Sequence, residues 1–230
     1  MSAMDIAANI TLIRQQIASA CINCGRSPDE VHLVAVSKKK PARDIEAAIA
    51  AGQTLFGESY VQECVAKIDA VESAAEWHFI GGLQSNKVKY LAGKVAMIHS
   101  VDRLSLAEEI DRQWGKLNSS VDILIQVNLG EEESKSGTTA DNLLALVRQV
   151  ALLRHLRIRG LMALPPWEED PEAVRPYFRQ LKNLAKQVEA LGLPNVNMDE
   201  LSMGMSHDFA TAVEEGATMV RIGTAIFGHR

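Results

Sequence analysis

Val31-His-Leu-Val-Ala-Val-Ser-Lys-Lys-Lys-Pro-Ala-Arg-Asp-Ile-Glu-Ala-Ala-Ile-Ala-Ala-Gly52 is the stretch that decides the fold. Up to Ser37 it is a β-branched-rich run of strand length. Pro41 then opens an alanine-rich segment, Ala42 to Ala51, which Gly52 closes. Proline at a helix start and glycine just past its end mark a strand followed by a helix. The alternation recurs downstream: Thr54-Leu-Phe56 then Val61 to Val71; Trp77-His-Phe-Ile80 then Gln84 to Ala92; Val95-Ala-Met-Ile-His99 then Leu104 to Leu117. Val121 to Asn128 precedes a helix near Ala140 to Leu153, and Leu156 to Met162 one near Glu172 to Leu191. Leu201-Ser202 precedes a helix near Asp208 to Glu215, and Thr218-Met-Val-Arg-Ile222 closes the series as an eighth strand. Strands alternating with helices imply right-handed βαβ units and a parallel sheet. Eight of them in this length predict a (β/α)8 TIM barrel. Ala48 to Gly57 and Val213 to Gly223 echo one another as helix end, glycine, short apolar strand, glycine. An open doubly wound sheet is the alternative, but no G-x-G-x-x-G follows the first strand.

Upstream, Ile6, Ile10, Ile13 and Ile17 share one face of an extra N-terminal helix, while Asp5, Arg14, Gln15 and Gln16 interrupt any apolar run. This is not the pattern of a signal peptide, and no segment reaches the roughly 20 apolar residues of a membrane span. The stretch Pro165-Pro166 to Pro171 reads as a loop after a strand, so residues 1–230 are taken as a single domain.

Of the 230 residues, 47% are hydrophobic and 23% charged, which excludes disordered and fibrous classes. Twenty-four Lys and Arg against 29 Asp and Glu give a net charge of −5, no bulk electrostatic reason to bind nucleic acid or an anionic membrane. An anionic ligand must therefore be held by a local site. Three cysteines, Cys21, Cys24 and Cys64, form no disulfide framework, so a reducing, cytoplasmic setting is expected.

Active sites of such barrels lie at the C-terminal ends of the strands. There the sequence places Lys38, Ser59 and Tyr60, Gly81-Gly82, Gln126, Met162, Ser202-Met-Gly-Met-Ser206 and Arg221-Ile-Gly-Thr224. Lys38 shares its strand face with Val34 and Val36, and the charges of Lys39 and Lys40 favour a neutral, nucleophilic amine. A Schiff-base lysine and a solvated lysine loop are both open at this point. Ser202, Gly204 and Ser206 together with Gly223 and Thr224 have the donors of a phosphate cradle, in the loops where this fold holds phosphate. An ordinary turn with Ser206 or Asp208 as a helix cap is the plainer reading. Arg221 alternates with Val220 and Ile222. If those two pack outward, it enters the barrel mouth and needs an acceptor.

Cys21-Ile-Asn-Cys24 has no second pair for zinc, Ser37-Lys-Lys-Lys40 lacks the partner motifs of S-x-x-K enzymes, and His32, His78, His99, His155, His207 and His229 show no metal-ligand spacing. No metal site is expected. His78 reads as a core histidine or as a ligand contact.

The chain closely resembles the pyridoxal-phosphate homeostasis proteins along almost its full length. The resemblance is carried by Val34-Ala-Val-Ser-Lys38, Phe56-Gly-Glu-Ser-Tyr60, Trp77-His-Phe-Ile-Gly81, Leu83-Gln-Ser-Asn-Lys87, Ser134-Lys-Ser-Gly137, Arg159-Gly-Leu-Met162, Leu201 to Ser206 and Val220 to Gly228. It implies a barrel of the alanine racemase N-terminal-domain type without that enzyme's β-domain, usually monomeric. It also implies pyridoxal 5′-phosphate (PLP) held covalently on Lys38, with Ser202, Gly223 and Thr224 on the phosphate and Arg221 facing the pyridine nitrogen. Ser59, His78, Met162, Met203 and Ser206 complete the expected cofactor contacts. The family commonly has Asn where this chain has Ser59, and Pro where it has Gly82; the shorter serine puts a contact to the cofactor ring from that position in question, and the glycine loosens the loop after the third strand. An arginine at the ring nitrogen weakens the electron sink, and a racemase needs two bases of which only Lys38 is evident. The expected function is therefore intracellular PLP homeostasis, sequestering and delivering the cofactor with effects on amino-acid pools and with no strong catalysis. PLP-dependent apoenzymes would be transient recipients. Two alternatives remain: a PLP-dependent racemase or decarboxylase using Tyr60 or His78, and a cofactor-free Schiff-base aldolase.

Overall fold

β1 (His32–Val36), β2 (Leu55–Glu58), β3 (Glu76–Phe79), β4 (Met97–Val101), β5 (Val121–Val127), β6 (Leu156–Ala163), β7 (Val196–Met205) and β8 (Met219–Ile222) run parallel and pair in chain order. β8 then pairs back onto β1, with His32 opposite Met219 and Ala35 opposite Ile222. That pairing closes the barrel and rules out the open sheet. The computed structural model describes residues 5–130 and 136–228, so Ser134, Lys135 and His229 lie outside the described residues.

α1 (Ile6–Asn23) precedes the barrel, and α2 (Ala42–Ala50), α3 (Val61–Ala70), α4 (Leu104–Gly115), α5 (Ala140–Val150), α6 (Arg175–Glu189), α7 (Phe209–Glu214) and α8 (Thr224–Phe227) follow strands around it. Between β3 and β4, Ser85–Tyr90 forms a 3-10 helix where the sequence suggests a longer helix from Gln84 to Ala92. Its buried Val88 and the buried Leu91 just past its end are three apart, the repeat of a 3-10 turn. β7 is much longer than its apolar centre at Leu201-Ser202, because its first half alternates half-buried Val196 and Met198 with exposed Asn197 and Asp199. Pro171–Val174 is a 3-10 turn that leads into α6, so the loop after β6 ends there.

Side-chain alternation sorts the strands into two layers. Leu33, Ala35, Phe56, Trp77, Phe79, Ile123, Ile125, Leu161, Met203, Val220 and Ile222 point outward and pack under the helices. Val34, Met97, Leu124, Met162 and Met219, with Leu55, fill the barrel interior. α1 lies across α2, α7 and α8 and buries Ile10, Ile13 and Ile17, worth about 1.5–3 kcal/mol each. Asn9 Nδ2 also donates to the Ile226 carbonyl at 2.9 Å, which ties α1 to α8 at the barrel mouth. Cys21 is buried and Cys24 exposed, and no cluster of three metal-ligating side chains occurs among the described residues. No described helix is long and apolar enough to cross a membrane.

Candidate functional site

At the C-terminal ends of the strands a cavity of about 540 Å³ opens, within the range of small-molecule sites. Lys38 borders it from the turn after β1, Ser59 from just past β2, Arg221 from β8, Ser206 and Gly223 from the loops after β7 and β8, and Thr224 from the start of α8. Trp167, 73% exposed, and His207 form an aromatic rim, their rings 6.1 Å apart and 27° from parallel. The described lining includes the cations Lys38 and Arg221 and no aspartate or glutamate. Its fixed charge favours an anion.

Val220 and Ile222 pack outward, so Arg221 enters the barrel as the alternation requires. It is 4% exposed, and burial pulls its pKa down to about 10, with the charge of Asp208 acting in the opposite sense. Nη1 donates to Ser202 Oγ at 2.5 Å and Nη2 to the Ala163 carbonyl at 2.9 Å. A guanidinium has five N–H donors. Among the described residues no carboxylate pairs with it, and three donors of this cavity-lining side chain remain uncommitted.

Deeper in the barrel a line of polar groups continues from Arg221. Ser202 Oγ lies 2.9 Å from His99 Nδ1, His99 Nε2 lies 2.9 Å from His78 Nδ1, and His78 Nε2 lies 3.0 Å from Glu76 Oε1. One arrangement of protons satisfies every pair. Arginine only donates, so Ser202 accepts from it and gives its own proton to His99 Nδ1. His99 then donates from Nε2 to His78, and His78 from Nε2 to the Glu76 carboxylate. Burial pushes His99 well below the usual imidazole value, with the proximity of His78 and of the Arg221 charge adding to the effect, so His99 is neutral as this arrangement needs. The His78 hydrogen bond holds the Glu76 carboxyl low. The line runs from a buried cation to an anion at the lower end of β3.

The expected site residues thus fall into three groups. Lys38, Ser59, Ser206, Arg221, Gly223 and Thr224 meet at the cavity. Ser202 and His78 are inside the barrel below it, in the hydrogen-bonded line, and Met162 belongs to the interior apolar layer. Met203 points outward into the layer under the helices. Gly204 has φ +89°, and a β-carbon there would come within 2.6 Å of Ala212 Cβ, so the glycine is required by packing against α7. Neither Ser206 nor Asp208 caps α7 with its side chain; Asp208 Oδ1 instead accepts the Met205 N–H at 2.6 Å. Tyr60 is exposed before α3 and, like His78, is absent from the lining. At Gly82 a β-carbon would meet only Ser136 Oγ at 3.9 Å, so there is room for a larger residue. His99, Trp167 and His207 were not singled out from sequence. The inward register of His99 was the available signal for the first, and the other two sit on loops without periodicity.

Serine and threonine hydroxyls suit a phosphate, and Thr224 Oγ1 donates to Ser206 Oγ across 3.2 Å on the cavity wall. Thr224 opens α8, so its N–H and that of Ala225 have no intrahelical acceptor. An amine on one wall, a buried guanidinium with uncommitted donors on another, and paired hydroxyls beside them fit an anionic aldehyde such as PLP.

Comparison with known proteins agrees with this geometry. The profile of the alanine racemase N-terminal domain matches residues 5–230. A pyridoxal phosphate homeostasis protein of Aquifex aeolicus is 45% identical over 228 residues, covering 99% of each chain. One from Escherichia coli (strain K12) is 46% identical over 230 residues, covering 98% of this chain and 97% of the relative. Among solved structures, PipY of Synechococcus elongatus PCC7942 with PLP bound superposes with a TM-score of 0.86 at 38% identity, over 97% of this chain and 100% of that one.

Proposed function

Because the chain belongs to the family of pyridoxal phosphate homeostasis proteins, built on the alanine racemase N-terminal domain, we propose that it binds PLP in this cavity, covalently through Lys38, and holds it for delivery rather than for turnover. The observation that carries the reading is the cavity wall itself, on which Lys38, Arg221 and the Ser206–Thr224 pair converge with no carboxylate among the described lining residues. Lys38 Nζ would add to the ligand aldehyde, a C=N bond replacing C=O while the oxygen leaves as water. Arg221 would donate to the ring nitrogen, and Ser206, Gly223 and Thr224 to the phosphate. When bound, PLP supplies an electron sink for amino-acid chemistry, and an arginine donor at the nitrogen disfavours the protonated ring on which a strong sink depends. Arg221 stays charged even with its pKa near 10, so it cannot hand that proton over at neutral pH.

The carrier reading is further supported by the two side chains that could have served as a second base. Tyr60 is outside the lining, and both ring nitrogens of His78 are engaged inside the barrel. With neither Tyr60 nor His78 placed as a second base and with a weakened sink, exchange of the α-proton of amino acids should stay far below a competent enzyme's turnover of roughly 10 s⁻¹. The test is a spectrum followed by an exchange assay. The purified protein with PLP should show a visible absorbance band that Lys38→Ala lacks, and should incorporate solvent deuterium into L-alanine at the rate of that variant. Lys38-dependent exchange at an enzyme-like rate would establish the racemase or decarboxylase reading, and a Lys38-dependent reaction of aldehydes without PLP the aldolase reading. Residence in the cytoplasm as a monomeric single domain, with PLP-dependent apoenzymes as recipients, completes the proposal.

A further inference from the structure

Behind the turn that carries Lys38 lies a buried ionic cluster that has no place in the cavity. Glu58 ends β2 facing outward, so alternation puts it under α3, where it is fully buried. Lys67 reaches it from the last turn of α3. Its Nζ donates to the Ser37 carbonyl, to Glu58 Oε1 and to Glu63 Oε1, each at 2.6 Å, which uses all three ammonium hydrogens. Ser37 Oγ donates to Glu58 Oε1 at 2.6 Å, and Glu63 Oε1 also accepts the Lys39 N–H.

Such a cluster adds little net stability, since the charges must be desolvated and an apolar trio would fill the same space without that penalty. Glu58 bears the cost openly: among the described residues its Oε2 has no hydrogen-bond partner. What the cluster achieves is geometric. The Ser37 carbonyl belongs to the peptide plane before Lys38, and the Lys39 N–H to the plane after it. Holding both planes fixes φ and ψ of Lys38 and hence the direction in which its side chain leaves the backbone. The second tether also holds Lys39 at φ 62°, a left-handed conformation that a β-carbon disfavours.

We propose that Lys67 and Glu63 are positioning residues for Lys38, a buried clamp that grips the backbone on both sides of the reactive lysine and aims its amine across the cavity. The proposal rests on Lys38 being the attachment point, and it concerns only the approach of amine to aldehyde, not the hold on phosphate or ring.

The experiment compares PLP with pyridoxine 5′-phosphate, which carries an alcohol in place of the aldehyde and cannot condense with an amine. Glu63→Ala removes the tether to Lys39 while leaving the Lys67–Glu58 pair intact; Glu63→Gln keeps an acceptor there; Lys67→Met removes the clamp. With Glu63→Ala the visible band should appear about 10–100-fold more slowly, the scale of loss for a misplaced reacting group. Affinity for pyridoxine 5′-phosphate should be unchanged, Glu63→Gln should largely restore the rate, and the Lys39 amide of ligand-free protein should exchange with solvent faster. Lys67→Met should slow the reaction at least as much. Should that variant fail to fold, Glu63→Ala decides alone, because its side chain is 23% exposed and its loss leaves no buried charge unpaired. An equal loss of both ligands would make the cluster merely structural, and an unchanged rate would remove its positioning role; either result overturns the proposal. Wild-type protein that forms no bond on Lys38 would instead overturn the attachment reading, with the Lys39 amide still reporting on the clamp.

Discussion

Ser202 Oγ sits between a buried cation and a buried imidazole, and its burial decides what its loss would do. Ser202→Ala would strand an Arg221 donor and a His99 ring nitrogen away from water. Unfolding of the ligand-free variant in urea should show a loss of about 1–3 kcal/mol, the cost of an unsatisfied buried group. Thr224→Val, at the exposed cavity wall, should leave that stability almost unchanged. It should instead weaken PLP by about 1–3 kcal/mol while sparing pyridoxal, which lacks the phosphate. Protonation acts on the same line. His99 is held below the usual imidazole value in the folded protein, so the unfolded chain takes up a proton that the folded one refuses. Stability is therefore full above the unfolded value of about 6.5 and falls as pH drops below it, by up to about 1.4 kcal/mol per pH unit for one proton. A His99→Gln variant should show a flatter stability profile between about pH 7 and 5, and an equally steep one would place the titrating group elsewhere. The sequence made Arg221 legible because it interrupts Val220 and Ile222. It did not reveal that Ser202 serves Arg221 rather than facing the cavity, because that depends on β7 continuing to Met205 and carrying Ser202 one layer deeper, opposite Met219.

Elements whose sequences alternate strongly were legible, and those shaped by tertiary contact were not. β1 and α2 follow from a β-branched run, Pro41 and Gly52, and α1 from its isoleucine spacing. The lower half of β7 carries Asn197 and Asp199 at exposed positions, so its strand character comes from pairing with β6 rather than from its own pattern. The Ser-Met-Gly-Met-Ser turn is a similar case. Glycine there reads as a means of approaching an anion, yet the structure needs it for contact with α7, where Phe209 Cα stands 3.0 Å from the place of a β-carbon. Gly204→Ala should destabilise by about 1–3 kcal/mol through overpacking, with the left-handed φ adding to the loss. Thermal unfolding with and without PLP separates the effects: a purely anion-binding glycine would lower the midpoint only when ligand is present.

For the molecule as a whole, closing eight strands encloses apolar side chains in the barrel, threads a hydrogen-bonded polar line among them and leaves an anion-attracting cavity at the mouth. Strand count and order were readable from the alternation of short apolar runs with longer amphipathic ones. The cavity was readable only as a set of strand ends, because its rim of Trp167 and His207 comes from loops. The layering fits the proposed carrier role, since His78 and His99 lie in the hydrogen-bonded line below Arg221 while Lys38 stands at the mouth. On the proposed function, the Lys38 amine holds the ligand. Protein loaded with PLP, reduced with borohydride and digested, should yield one pyridoxyl-modified peptide by mass spectrometry, with the adduct on Lys38. An adduct confined to Lys39 or Lys40, or equal labelling of Lys38→Ala protein, would contradict it.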